Sequence, residues 1–401
     1  MNRLAQAAEP ATARYPWLAV IAVSLAIFSV VTTELLPVGL LTPVAATLSI
    51  SPGTAGLMVS FPAFLGAIFA PLVVFASGGI DRRHILCSLL SLLVLANLAS
   101  ALASSWYWML AARVLIGFCI GGVWAIASSF AVRLVTPAMV GLATSVIFGG
   151  VAAASVLGVP AGAWIGDITG WRWVFGCMAI FSAVVLVLHL LFLPALPVDG
   201  AVRLGDFIRQ LSNRRLKTGL LLTLLLVSGH FASFTFVRPL LTSVSGFSTQ
   251  WLSILLFGYG IAGMTGNFLT GMLATRRTLL TLGTIAGGLF FTPVLFMTVG
   301  HTLTGGAGAL LFWGLAYGGV SVGLMTWVMK AEQRTLEIAT ALYVAVFNIS
   351  IGLGSWAGGQ LFNHFGLLSN LWLACGCAAL ALLLLTSMTY RRISDLSSVN
   401  E

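Results

Sequence analysis

The chain reads as a succession of long apolar runs separated by short polar breaks that hold most of its charges. In the first half the runs are Trp17–Thr42, Gly53–Gly78, His84–Ala103, Tyr107–Leu134, Ala138–Gly166 and Trp173–Leu193. In the second half they are Thr218–Thr242, Trp251–Leu273, Leu279–Val299, Gly305–Met329, Ile338–Phe362 and Asn370–Tyr390. An apolar run of roughly 20 residues is long enough to cross a bilayer as one helix. The pattern therefore predicts an all-α membrane protein with about twelve transmembrane helices in two six-helix bundles. A β-barrel is disfavoured, because barrel strands alternate apolar and polar positions over about 10 residues. The first run does not read as a cleavable leader, since it is long enough to span and no small-residue cleavage site closes it.

The longest polar break, Pro194–Lys217, holds Asp199, Arg203, Asp206, Arg209, Arg214, Arg215 and Lys217. It predicts a division into a tail over 1–16, a six-helix bundle over 17–194, a linker over 195–217, a second bundle over 218–390 and a tail over 391–401. A basic pair recurs at matching places in the two halves, Arg82-Arg83 and Arg276-Arg277, as a duplicated unit would leave.

Composition sharpens this picture. Of 401 residues, 59% are hydrophobic and 7% charged, against about 25% charged in an ordinary soluble domain. Such a chain cannot cover a water-facing surface, so its partner is the lipid bilayer. The net charge of +9 does not point to nucleic acid, because the basic residues are spread over the breaks between runs. All 19 of them except Arg113, Arg172 and Arg238 fall on the side that carries both termini. By the positive-inside bias that side is cytoplasmic. The five cysteines, Cys87, Cys119, Cys177, Cys375 and Cys377, lie within apolar runs and read as buried thiols rather than metal ligands.

An ionisable group inside a span costs about 2.5–3.5 kcal/mol on insertion scales and needs a reason to be there. Glu34 is the one acid deep in a span, about 12 Å from its end. Arg113 lies at a similar depth, about 9 Å from the matching end of the fourth run, so the two can pair. A carboxyl that alternates between ionised and protonated forms is a natural proton carrier, with Arg113 orienting it. His230, midway along the seventh run, has the ordinary titration range for a second proton-coupling group, and the bland alternative is a simple hydrogen bond. His189, near a span end, suggests no role.

Several side chains predict a cavity for a small molecule. Trp124 lies eleven residues, close to three turns, beyond Arg113 and shares its face. His230 pairs with Phe234 on one face, Trp313 with Tyr317, and Tyr343 with Phe347, and Asn348 adds an amide. Flat rings with a few amides suit a planar ligand, with Arg238 as a further contact. The competing reading is ordinary core packing or, for Arg238, snorkelling to the interface. Small-xxx-small pairs, Gly117/Gly121, Gly162/Gly166, Gly283/Gly287, Gly314/Gly318 and Gly354/Gly358, predict close helix contacts. Gly319-Val-Ser-Val-Gly323 matches the G-x-S-x-G pattern but sits inside a helical run without triad partners, and no phosphate-binding loop is present. Neither an enzyme nor an ATP-driven pump is expected, and no cofactor or metal is called for.

Arg113-Val-Leu-Ile-Gly117 matches the fourth-helix R-x-x-x-G motif, and Gly158-Val-Pro160-Ala-Gly162 a short form of the fifth-helix G-P-x-x-G motif. Through these the chain resembles the drug:proton antiporter branch of the major facilitator superfamily over nearly its whole length. The resemblance implies gating by Gly158, Pro160 and Gly162, and by the loop Asp81-Arg82-Arg83. That loop departs from the family pattern: Asp81 stands where a Gly is usual, and Gly78 where the usual Asp should be. The charge latch there is therefore either rebuilt around Asp81 or weakened. Leu35-Leu-Pro-Val-Gly-Leu-Leu-Thr-Pro43, Ser145-Val-Ile-Phe-Gly149, Gly170-Trp-Arg172 and Val237-Arg-Pro239 resemble bacterial purine ribonucleoside efflux pumps. Thr33-Glu34, His230 and Phe347-Asn-Ile-Ser-Ile-Gly352 resemble sugar efflux transporters almost as well. The expected function is proton-coupled export of small molecules, purine ribonucleosides or purine analogues first and sugars or drugs second. An uptake symporter and a membrane-embedded enzyme are the rivals. A monomer is what the resemblance implies.

Overall fold

The computed structural model describes residues 15–76, 80–196, 212–332 and 336–397. Ser77, Gly78 and the linker residues Asp199, Arg203, Asp206 and Arg209 lie outside the described residues, as do Arg334 and the two ends of the chain, 1–14 and 398–401. No strand occurs among the described residues. Among the described residues, twelve helices are long and apolar enough to cross a membrane. They are α1 (Pro16–Thr47), α2 (Pro52–Val73), α3 (Arg82–Ala101), α4 (Trp106–Ala127), α5 (Pro137–Thr169), α6 (Trp171–Phe192), α7 (Arg214–Phe234), α8 (Thr249–Ala274), α9 (Arg276–Thr298), α10 (Leu303–Ala331), α11 (Ile338–Phe365) and α12 (Leu368–Met388). Their number and order match the apolar runs of the sequence. Large apolar side chains such as Leu95, Trp164, Ile180, Leu191, Phe268 and Trp372 stay exposed, as lipid-facing positions do.

Helix ends follow local chemistry. Asp81 caps α3 by accepting the Arg83 N–H at 2.8 Å. Ser105 accepts the Trp108 N–H at the start of α4, and Asn213 accepts the Arg215 and Leu216 N–H groups at the start of α7. Each satisfies donors that a helix start leaves open. Gly170, with φ of +92°, makes the turn between α5 and α6, a conformation that a side chain would strain.

Contacts divide the chain into two units. Unit 1 comprises Met1–Leu36 and Phe61–Arg203, and unit 2 comprises Pro37–Ser60 and Leu204–Glu401. The boundary therefore falls inside α1, at Pro37. Unit 1 is built around a core of Ala, Val, Ile and Leu from α1, α3, α4 and α5, with Phe130 and Cys119 also buried in it.

Glycines bring backbones together within each unit. A Cβ on Gly121 of α4 would meet the Gly66 carbonyl oxygen of α2 at 2.6 Å. In unit 2, Gly314 and Gly318 of α10 lie against the carbonyls of Tyr259 and Gly263 on α8. Gly354 and Gly358 of α11 lie against those of Ser228 and Ala232 on α7. The Gly283/Gly287 pair departs from the expectation: a Cβ at either position meets nothing within 4 Å. Spacing alone does not say whether a glycine stripe faces a helix or lipid.

Among the described residues, π-helical turns occur inside one span and just beyond another. One, Ala154–Gly158, immediately precedes Pro160 in α5. The other, Leu240–Val244, follows Pro239 just beyond α7, after a break at Thr235 and Phe236. Proline lacks an N–H and clashes with the preceding turn, so widened turns collect beside it.

Candidate functional site

Unit 1 places polar groups around α1 near its middle. On one side Gly158 and Gly162 of α5 press against the side chains of Thr32 and Leu36. The antiporter-like motif thus lets α5 pass close to α1, at the π-helical turn. On a second side Thr33 and Asn97 of α3 exchange hydrogen bonds at 3.1 and 3.3 Å. One turn earlier, the Ser29 and Ser182 hydroxyls meet at 2.7 Å.

Arg113 is fully buried and reaches the same side of α1. Its Nη1 donates to the Thr33 carbonyl at 3.0 Å, and its guanidinium carbon lies 4.8 Å from the Phe175 ring centroid. Thr33 is the residue four before Pro37, which has no N–H to give to that carbonyl. The arginine fills the vacancy with a charge-assisted hydrogen bond. Its Nε and Nη2 have no partner.

Glu34 is 5% exposed, and its Oε1 has no hydrogen-bond partner. Among the described residues no ion pair joins it to Arg113, so the pairing that equal depth allows is not made in this arrangement. The reason is rotational. Successive residues of a helix are about 100° apart, so a guanidinium bonded at Thr33 addresses a different side from the Glu34 carboxyl. Glu34 is also two residues from Thr32 and from Leu36, about 200° around the helix from α5.

In unit 2 the aromatic candidates of α7 and α10 come together with two residues the sequence did not single out, Tyr259 and Phe296. His230 stacks on Tyr317 with ring centroids 3.4 Å apart and on Phe234 at 4.8 Å. Phe234 stacks in turn on Tyr259, and Trp313 packs edge-on against Phe234, Tyr259 and Phe296. The Trp313 Nε1–H donates to His230 Nδ1 at 3.0 Å. Indole N–H is a donor only, so Nδ1 must be the bare nitrogen and Nε2 carries the proton. Nε2 has no hydrogen-bond partner. His230 also lines a small cleft with Ser233, Thr292 and Trp313 and apolar residues of α7, α9 and α12, with room for about one water molecule. The faces of these rings are thus largely occupied by one another. His230 cannot take a second proton here without giving up Trp313.

The remaining candidates make contacts of their own. Trp124 of α4 lies 6.1 Å from Phe148 of α5 in unit 1. Tyr343 and Phe347 of α11 are 5.8 Å apart, and the Tyr343 hydroxyl is 3.5 Å from the Ser321 carbonyl. Asn348 donates to its own helix at Val344. His189 does likewise at Val185. Arg238, just past α7, donates through Nη1 to the Gly39 carbonyl at 2.7 Å.

The loop before α3 is built around Asp81. Its Oδ1 accepts the Leu196 N–H as well as that of Arg83, each at 2.8 Å. The Arg82 N–H donates to the Leu196 carbonyl, and Arg83 Nη2 to that of Leu190. Asp81 and Arg83 therefore tie the start of α3 to the end of α6 and the residues that follow it.

Twelve spanning helices, buried ionisable groups on α1 and α4, and proline-linked breaks in α5 and beyond α7 define a polytopic membrane protein with polar groups placed deep within its helices. The family model described as "Major Facilitator Superfamily" matches residues 21–335, and the chain belongs to that superfamily. It is 32% identical over 385 residues, 96% of each chain, to the purine ribonucleoside efflux pump NepI of Salmonella paratyphi A. It is 33% identical over 376 residues, 94% of each chain, to the NepI of Salmonella enteritidis PT4. The fold matches a bacterial homolog of the human lysosomal transporter Spinster, in its inward-facing and occupied conformation, with a TM-score of 0.74. That match has 17% identity and covers 96% of this chain and 98% of the other. A second match is the human organic anion transporter MFSD10, with a TM-score of 0.66, 20% identity and coverage of 92% and 99%.

Proposed function

We propose that this efflux transporter exports purine ribonucleosides or purine analogues in exchange for protons. The substrate class rests on likeness along almost the whole chain to relatives named as purine ribonucleoside efflux pumps. The proton role rests on Glu34, a buried carboxyl with an unpartnered oxygen, beside the Thr33 carbonyl that the buried Arg113 of α4 holds. A fixed charge at that depth is costly, whereas a carboxyl that takes up a proton passes through the membrane interior without that cost. The protein sits in the bacterial inner membrane with both termini cytoplasmic. Protons load Glu34 from outside, substrate loads from the cytoplasm, and the two exchange by alternating access. Arg113 fixes α1 at Thr33, next to Glu34. Asp81, Arg82 and Arg83 brace the gate at the start of α3, with Gly158, Pro160 and Gly162 as the bend in α5.

The test is export from cells expressing the protein, with inosine, guanosine, adenosine analogues, arabinose, a β-galactoside and chloramphenicol as probes. Loss of purine nucleosides from the cells supports the reading. Loss of a sugar or chloramphenicol in their place overturns the substrate class and leaves the efflux transporter standing.

Arg113→Lys keeps the charge but loses the planar fork, and lysine cannot reproduce guanidinium geometry at the Thr33 carbonyl. It is expected to lower proton-driven export about tenfold, in line with one lost charged hydrogen bond of about 1.5–3 kcal/mol. Initial rates in proteoliposomes with an imposed pH gradient read the effect, and an unchanged proton-to-substrate ratio at wild-type rate counts against Arg113.

A further inference from the structure

The segment Pro37–Ser60 belongs to unit 2 although it continues the helix that carries Glu34 in unit 1. Something must hold it there. Its α2 portion does so by close packing. A Cβ on Gly53 would run into the Gly359 carbonyl and the Asn363 side chain, and one on Gly56 would meet Phe236 Cζ at 2.7 Å. Its α1 portion has a different anchor. Pro43 has no N–H, so the Gly39 carbonyl loses the helical donor that residue 43 normally supplies. Arg238 Nη1 lies 2.7 Å from that oxygen, and Arg238 is 5% exposed. The arrangement repeats the one at Thr33, where Pro37 frees a carbonyl and Arg113 takes it. Each of these two buried arginines is thus matched to one proline of α1.

We propose that Arg238 is a positioning residue for transport: it holds the second half of α1 in unit 2 by occupying the Gly39 carbonyl that Pro43 leaves open. Gly39 lies five residues from Glu34, about 7.5 Å along the helix, so this grip sets the register of the carrier carboxyl. It gives the Val237-Arg-Pro239 segment a task other than substrate contact. The break at Thr235 and Phe236 and the π-helical turn at Leu240–Val244 bracket Arg238 and let the chain turn away from regular helix there.

The inference rests on the transporter reading but not on the nucleoside, and the experiment separates them. Hydrogen–deuterium exchange is measured on the full chain in lipid nanodiscs for wild type, Arg238→Met, Pro43→Ala and the double variant. Arg238→Met is expected to speed exchange over Leu48–Ser60 about tenfold, the size of one buried carbonyl left without a donor, while α3–α6 stay within about twofold. Pro43→Ala restores an N–H to Gly39. In that background Arg238→Met is expected to speed exchange less than about threefold. Equal acceleration in both backgrounds, or none in Arg238→Met, overturns the proposal. If Arg238→Met fails to insert, Arg238→Lys is compared in the same two backgrounds under the same criteria. A second arm measures inosine export. Expected is a fall in maximal rate with KM within about twofold of wild type. A raised KM at unchanged maximal rate makes Arg238 a substrate ligand and overturns the proposal. If wild type does not move inosine, the nucleoside reading fails and the exchange comparison alone decides on Arg238.

Discussion

Glu34→Gln is expected to reduce export driven by an imposed proton gradient to the level of protein-free vesicles. Glutamine has the shape of a protonated carboxyl but cannot give its proton up. The variant should therefore insert and fold as wild type, because it removes a costly potential charge from a buried site and adds none. It should also still exchange labelled for unlabelled substrate, since that step needs no net movement of protons. Carrying both assays in the same proteoliposomes separates loss of coupling from loss of folding. Gradient-driven export that survives the substitution removes Glu34 from the proton path, and attention would then turn to His230.

The second large effect falls on packing. A Cβ at residue 318 would lie on the Gly263 carbonyl oxygen, with Gly263 carbonyl carbon and Cα at 2.6 and 2.7 Å. These are backbone atoms in α8 and cannot swing aside. Gly318→Val is expected to destabilise the protein by about 3 kcal/mol or more, the upper end of overpacking costs. Gly287→Val, at the same kind of spacing but with nothing within 4 Å, is expected to change stability by less than about 0.5 kcal/mol. Thermal unfolding of the purified variants in detergent checks both. Equal melting temperatures for the two would mean that α8 and α10 are free to part at Gly318.

The contrast between those glycines shows where sequence reading stops. Apolar run length made the helix count and class legible, because crossing a bilayer leaves few alternatives. Depth along a span was legible for the same reason, as counting residues from an end gives it. Rotation about the helix axis and the identity of the facing helix were not. Gly318 and Gly287 have the same spacing pattern, yet one faces α8 and the other meets nothing within 4 Å among the described residues. Glu34 and Arg113 stand at one depth, yet the guanidinium bonds the neighbouring residue's carbonyl. A local signal for that choice did exist: Pro37 and Pro43 announce free carbonyls four residues earlier, at Thr33 and Gly39, and a buried arginine seeks such acceptors. The pairing of His230 with Trp313 had no comparable signal, since same-face spacing names what shares a helix surface and not what it meets across the gap.

The placement of the unit boundary within α1 bears on how this chain can be recombined with its relatives. A chimaera that joins the first half of one homologue to the second half of another at the polar linker appears modular, but it separates Pro37–Ser60 from its own Arg238, Phe236 and Gly359. The residues that must travel together are not contiguous in the gene. A viable half-exchange would transplant the 37–60 stretch along with the second half. Selection on the two halves is accordingly linked through a helix that each of them partly owns.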